Sequence, residues 1–199
     1  MILAPLLALL AGAPKLELGG VAGMGRVFGG GDVAQGRSED AVEPIQAPWT
    51  AGGWIAYQWK RGHDLGVRVQ AWHAEGDAVG MGDYGGGSET LDILAYGLEY
   101  TRLRPLGSSG TLLRIGGGGG FAQATDELSF HDGQPVSASG DGAAGWLRGG
   151  VSTPIGPMAV HLAVAGMYAG FPRMKSKQME SFETSYWILQ GEIGFSFGS

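Results

Sequence analysis

The chain has 199 residues, 39 of them Gly and none Cys, with 44% hydrophobic and 10% aromatic residues and a formal net charge of −6. The length suits one domain, the apolar share is too high for a disordered chain, and the glycines lack the strict three-residue period of collagen. Without Cys there is no disulfide scaffold, no thiolate metal site and no acylated anchor cysteine. An acidic balance with no basic block argues against a nucleic-acid partner.

Residues Met1–Ala13 read MILAPLLALLAGA. That apolar run is shorter than the about 20 residues a membrane helix needs. It has the form of a secretory signal whose small-residue pattern is Ala11-Gly12-Ala13. The expected organisation is therefore a signal peptide over 1–13 and one domain over 15–199.

Beyond the signal, apolar and less apolar residues alternate with period two, the mark of strands with two unlike faces. Eight such segments follow in order: 16–28, 48–59, 65–74, 91–103, 110–124, 140–152, 158–170 and 185–197. Common strands run to about 5–6 residues, whereas strands that cross a bilayer need about 9–11. These segments are of the longer kind. None carries a long 3.6-period stripe, so no major helix is expected.

The connections alternate in length: 29–47, 75–90, 125–139 and 171–184 are long, while 60–64, 104–109 and 153–157 are short. The short ones hold turn residues, as in Lys60-Arg61-Gly62-His63-Asp64 and Thr153-Pro154-Ile155-Gly156-Pro157. Long loops at one end and short turns at the other suit a closed membrane barrel. An even strand number leaves both termini on the short-turn side.

The faces are unequal. Trp49, Ala51, Gly53, Ile55, Tyr57 and Trp59 share one side of the second segment, with Thr50, Gly52, Trp54, Ala56 and Gln58 on the other. In the eighth, Trp187, Leu189, Ile193, Phe195 and Phe197 oppose Ile188, Gln190, Glu192 and Ser196. Threading the segments sorts the apolar-face aromatics by depth. Trp49, Phe121, Tyr168 and Trp187 fall toward the long loops, and Tyr57, Trp59, Tyr100, Phe195 and Phe197 toward the short turns. Two aromatic girdles around an aliphatic band place the apolar face outside, in lipid.

On these features residues 15–199 resemble the small eight-stranded outer-membrane β-barrels, the group of the OmpA membrane domain and OmpX. The resemblance implies an all-β, antiparallel up-and-down transmembrane barrel with four long extracellular loops and short periplasmic turns. It further implies a place in the bacterial outer membrane, a monomer, and contact with outer-membrane lipid and lipopolysaccharide. The closing pattern of Trp187, Leu189, Gly191, Ile193, Phe195 and Phe197 resembles the signal such proteins offer the barrel-assembly machinery, with Phe195 and Phe197 its last aromatics.

An eight-stranded barrel has an interior just wide enough for side chains. The inward parity holds Glu17, Arg68, Glu99, Arg114, Arg148, His161 and Glu192. These are expected to form one charge-paired layer, with Arg68 beside Glu99, Glu99 beside Arg114, and Arg148 next. Trp54, Trp72 and Trp146 would cap or join it. The expected lumen is plugged, not porous. Gly116–Gly120 lies in a strand and lacks the Lys-Ser/Thr of a phosphate loop, so its glycines serve close packing.

No catalytic constellation emerges, and no metal or cofactor site is expected. Neither His73 nor His161 has a Ser two residues away on its strand. Ser129-Phe130-His131-Asp132 places triad residue types side by side in a loop, where they cannot meet in triad geometry. Asp77, Asp83 and Glu89 show no calcium-loop spacing. The fourth long loop carries Arg173, Lys175 and Lys177 just above the outer girdle, at the height of lipopolysaccharide phosphates. The expected function is thus non-enzymatic, in envelope structure or surface interaction through the long loops. The alternatives are a lipid-modifying barrel enzyme and a soluble lipocalin-like ligand carrier, for which Gly52-Gly53-Trp54 supplies a short match.

Overall fold

The computed structural model describes residues 15–29, 46–78, 87–130, 135–177 and 180–198. The signal segment and the residues Asp83, His131 and Asp132 lie outside that set. Eight strands follow in chain order: β1 (Lys15–Gly29), β2 (Gln46–Lys60), β3 (His63–Ala78), β4 (Gly87–Pro105), β5 (Leu112–Phe130), β6 (Val136–Ile155), β7 (Met158–Ser176) and β8 (Phe182–Phe197). Each pairs antiparallel with the next, and β1 pairs with β8 to close the ring. Closure removes the sheet edges that would otherwise seek partners.

All eight strands occur where alternation predicts them, and every one runs longer. β5 reaches Phe130 and β7 reaches Ser176, against the expected 124 and 170. The reason lies in the outward face. Along β5 it changes from Ile115 and Phe121 to Gln123, Thr125 and Glu127, and along β6 from Leu147 to Asp141, Ser139 and Ser137. Above the apolar belt the outward face becomes polar while the inward face holds Ala122, Ala124 and Ala138, so the belt's alternation breaks off while the ladder continues. The short connection at 60–64 likewise shrinks. β3 starts at His63, with Gly62 turning at φ 78°, a conformation that glycine adopts without a Cβ penalty.

The polarity is inverted relative to a water-soluble barrel. Leu147 is 73% exposed and Leu98 61%, whereas Arg68 is 2% exposed. The nine girdle aromatics all point outward, Trp49, Phe121, Tyr168 and Trp187 toward the end where β1 joins β2 and β7 joins β8, and Tyr57, Trp59, Tyr100, Phe195 and Phe197 toward the end where β2 joins β3. Cross-strand contacts join some of them: Tyr168 meets Trp187 at 4.8 Å between ring centroids, and Phe121 meets Tyr96 at 6.0 Å.

Large inward rings need room, and glycine on a neighbouring strand makes it. Trp54 lies over Gly19, its register partner on β1. Trp146 lies against Gly118, its partner on β5. A Cβ at Gly19 would overlap the Trp54 ring. Gly19→Leu is therefore expected to destabilise the barrel by about 1–3 kcal/mol through overpacking. The check is the fraction of unboiled protein that runs as the compact band on an SDS gel, which should fall relative to Gly20→Leu, where the nearest atom to a Cβ lies at 3.7 Å.

Candidate functional site

The candidate site is the barrel interior. All seven inward residues singled out from sequence point into it: Glu17, Arg68, Glu99, Arg114, His161 and Glu192 are buried and Arg148 nearly so. They form two tiers instead of one layer. The register sets this: Glu99 on β4 lies opposite Gly118, whereas Arg114 lies opposite Leu103, further toward the turns. Arg114 is thus out of step with Glu99, and the expected Glu99–Arg114 neighbourhood does not form.

In the upper tier Glu99 accepts from Arg68 Nε at 2.7 Å and from Trp146 Nε1 at 2.9 Å, with Arg148 Nη2 at 3.6 Å. Arg148 Nη1 donates to Glu192 at 3.0 Å. Glu192 also accepts from Gln70 at 2.9 Å and from Gln190 at 2.6 Å, and Trp72 Nε1 donates to Gln190. Two guanidinium groups thus face two carboxylates, and most of the remaining hydrogen-bonding capacity is met by amides and indoles. Buried charges persist when they are paired and hydrogen-bonded in this way.

In the lower tier Arg114 Nη1 donates to Glu17 at 3.0 Å, and Trp54 Nε1 donates to the other Glu17 oxygen at 3.0 Å. Asp64 Oδ2 lies 3.9 Å from Arg114 Nη2. The Trp54 ring divides the tiers. Arg68 and Arg148 stand over it at 5.1 and 5.4 Å, and His161 meets it edge-on at 5.3 Å. A guanidinium over an indole face is an attractive cation–π arrangement.

Below the lower tier, at the turn end, lies a cavity of about 230 Å³ lined by Glu17, Asp64, Arg114, Leu103, Leu112 and Pro154 among others. Above the upper tier the lumen is filled with apolar side chains, including Leu91, Ile93, Met167, Phe171, Met174 and Ile188. Higher still, the buried Tyr186 hydroxyl donates to Asp126 Oδ2 at 3.2 Å.

Sequence alone does not place Asp64 in the lumen, and it puts Gln70 and Gln190 on the inward face without assigning them to the charge network. Asp64 was counted with the turn, and its place two residues after the β-turn glycine is the signal that would have found it. Nor does sequence alone pair the inward Ser196 with His161, yet Ser196 Oγ lies 2.7 Å from His161 Nε2 across the β7–β8 ladder. That distance is within reach of a base and its nucleophile. However, Ser196 is wholly buried, and His161 Nδ1 has no hydrogen-bond partner among the described residues. Glu17 Oε1 lies 3.9 Å from the same Nε2 and does not orient Nδ1; with the hydroxyl sealed from any substrate as well, the pair serves packing. His73 faces outward, and both its ring nitrogens meet carboxylates, Asp92 at 2.7 Å and Glu75 at 3.0 Å. Neither nitrogen is left to take a proton from a nucleophile.

Among the described residues no cluster of metal-ligating side chains occurs. Glu89 is an inward, buried residue of β4. Arg173 and Lys175, expected on a loop, belong to β7, with Lys177 just beyond its end; all three are exposed.

No protein-family profile matches the chain, and no curated protein sequence does. Solved structures do. Neisserial surface protein A aligns over 92% of this chain and 97% of its own at 9% identity, with a TM-score of 0.56. A major outer membrane protein from Thermus thermophilus aligns over 92% and 98% at 13% identity, with a TM-score of 0.55. The outer membrane protein OprG from Pseudomonas aeruginosa aligns over 94% and 96% at 14% identity, with a TM-score of 0.51. The shared feature is the fold, a small antiparallel barrel of the outer-membrane kind.

Proposed function

We propose that this outer-membrane-type barrel is a non-enzymatic envelope protein with a plugged lumen, acting in envelope structure or surface interaction through its long loops. The carrying observation is the filled interior. Arg68, Glu99, Arg148 and Glu192 are locked to one another across β3, β4, β6 and β8, with Trp54 below them and a dense apolar layer above. An ion moving along the axis would have to break buried charge pairs and then cross a layer that offers it no ligand. Each step is costly in a low-dielectric interior.

The inverted polarity supports a bilayer setting, since the exposed belt is aliphatic and ringed by aromatics at both ends. In this reading the long connections face outward from the cell and the short turns face the periplasm. Phe195 and Phe197 present the closing aromatic signal to the assembly machinery. Among the described residues the interior shows no accessible nucleophile–base pair, which favours a non-enzymatic role over lipid modification. The cavity at the turn end carries Glu17, Asp64 and Arg114 in its lining, which disfavours an apolar, lipocalin-type ligand.

The test is single-channel recording in planar bilayers with heat-modifiable, folded protein. The expected result is no resolved conductance steps from the wild-type chain. Reproducible steps of porin size from pure protein would refute the plugged lumen.

A further inference from the structure

β7 changes sides part-way along. From Met158 to Tyr168 its even-numbered residues face outward: Leu162 and Val164 are exposed, while His161, Ala165 and Met167 are buried. Phe171 continues the inward series, yet the next buried residue is Met174. Pro172 and Arg173 stand between them, both exposed. The ladder to β8 steps from Phe171↔Thr184 to Met174↔Phe182, and the ladder to β6 from Gly170↔Ala143 to Lys175↔Ser139. On both sides β7 spends one more residue than its neighbour, which is a β-bulge, and bulges re-aim side chains. Continued in regular register, β7 would turn Arg173 and Lys175 into the apolar lumen and Met174 out. The bulge sends both cations outward and Met174 inward.

The exported cations border a groove of about 520 Å³ on the outer wall, lined by Gln123, Thr125, Ser139, Asp141, Arg173 and Lys175 among others. It begins one outward position above Phe121 on β5 and, on β7, at Arg173, past Tyr168 and Gly170, so it sits on the far side of the outer aromatic girdle, where headgroups meet the wall. A guanidinium, an ammonium, two hydroxyls and an amide converge there. Its carboxylate, Asp141, is held by the Gln123 amide at 3.1 Å.

We propose that this groove binds the phosphate of an anionic lipid headgroup in the leaflet facing the long loops, with Arg173 and Lys175 as the charged ligands positioned by the β7 bulge. The proposal rests on the membrane reading above. Charge complementarity and continuity with the girdle select a lipid phosphate over a soluble anion, because a lipid brings its phosphate to that height without further cost.

The experiment uses the folded chain in detergent micelles, with every variant first shown to be heat-modifiable. Native mass spectrometry then measures retention of diphosphorylated lipid A, of the dephosphorylated lipid, and of inorganic pyrophosphate. The expected result is wild-type retention of the phosphorylated lipid, lowered about tenfold or more in Arg173→Gln/Lys175→Gln, and weak retention of the other two. Arg26→Gln removes an exposed outward cation on β1 and should leave retention unchanged. Equal retention by the double variant, or an equal loss in Arg26→Gln, overturns the proposal. Pyrophosphate binding as tight as lipid binding makes the occupant a soluble anion and overturns the lipid assignment. A wild-type chain with no heat shift refutes the membrane reading and this proposal together; a normal shift with unchanged lipid retention refutes this proposal alone.

Discussion

Replacing Glu99 by Leu is expected to destabilise the barrel by about 3–5 kcal/mol. Glu99 is the carboxylate through which β4 meets both β3 and β6: it accepts from Arg68 Nε, Trp146 Nε1 and Thr101 Oγ1, and lies beside Arg148. Arg148 keeps Glu192 in the variant, but Arg68 keeps only the neutral oxygen of Gln70. A guanidinium at 2% exposure would then be left without a bonded carboxylate, with Glu192 already held by Arg148. Removing one partner of a buried pair costs far more than the pair itself is worth, because the remaining charge stays desolvated. Arg68→Met/Glu99→Leu should therefore be more stable than Glu99→Leu alone, since it removes both charges. Urea titration of vesicle-inserted protein, followed by Trp fluorescence, measures both. A single variant within about 1 kcal/mol of wild type, the range of exposed pairs, would mean that the upper tier is hydrated.

An arginine placed at Val164 is expected to cost about 2–4 kcal/mol, the penalty for a cation on the lipid face near the bilayer midplane. Val164 is 59% exposed and lies on β7 between the upper Tyr168 and the lower Met158. Its register partners are Gly149 and Gly191, so no neighbouring side chain can shelter the charge. The same substitution at Ser137, outward on β6 above the belt, should cost about 0–1 kcal/mol. A water-soluble barrel would accept both equally, because an exposed arginine there meets only solvent. The difference between the two positions, by the same urea titration, thus reads the solvent of the outer face directly.

Several particulars show how far local pattern carries. The outward aromatic rows, the inward Arg68, Glu99, Arg148 and Glu192, and the eight-strand count all follow from alternation. A strand shows its two solvents in every second residue wherever those solvents differ. The strand ends did not follow, because above the girdle the outward face turns polar while the inward face is largely apolar, so the alternation of the belt does not continue there. Arg173 and Lys175 were readable as cations above the girdle but not as strand residues. Their outward direction depends on one extra residue at Pro172–Arg173, which no period reveals.

Pairing within the lumen lay further out of reach. Whether Glu99 meets Arg114 or Arg148 depends on how far each ladder is sheared past the next, and shear accumulates around the ring. A one-strand pattern fixes which face a side chain takes but not its height against a residue on another strand. His161 and Ser196 likewise meet only because β7 and β8 align in one register. Architecture and inside-out polarity are legible in the chain, because both are written in each strand's own alternation between lipid and lumen. The two charge tiers, the glycine seats beneath Trp54 and Trp146, and the bulged cation groove come only with the folded barrel, because they depend on how neighbouring strands, joined from different parts of the chain, line up.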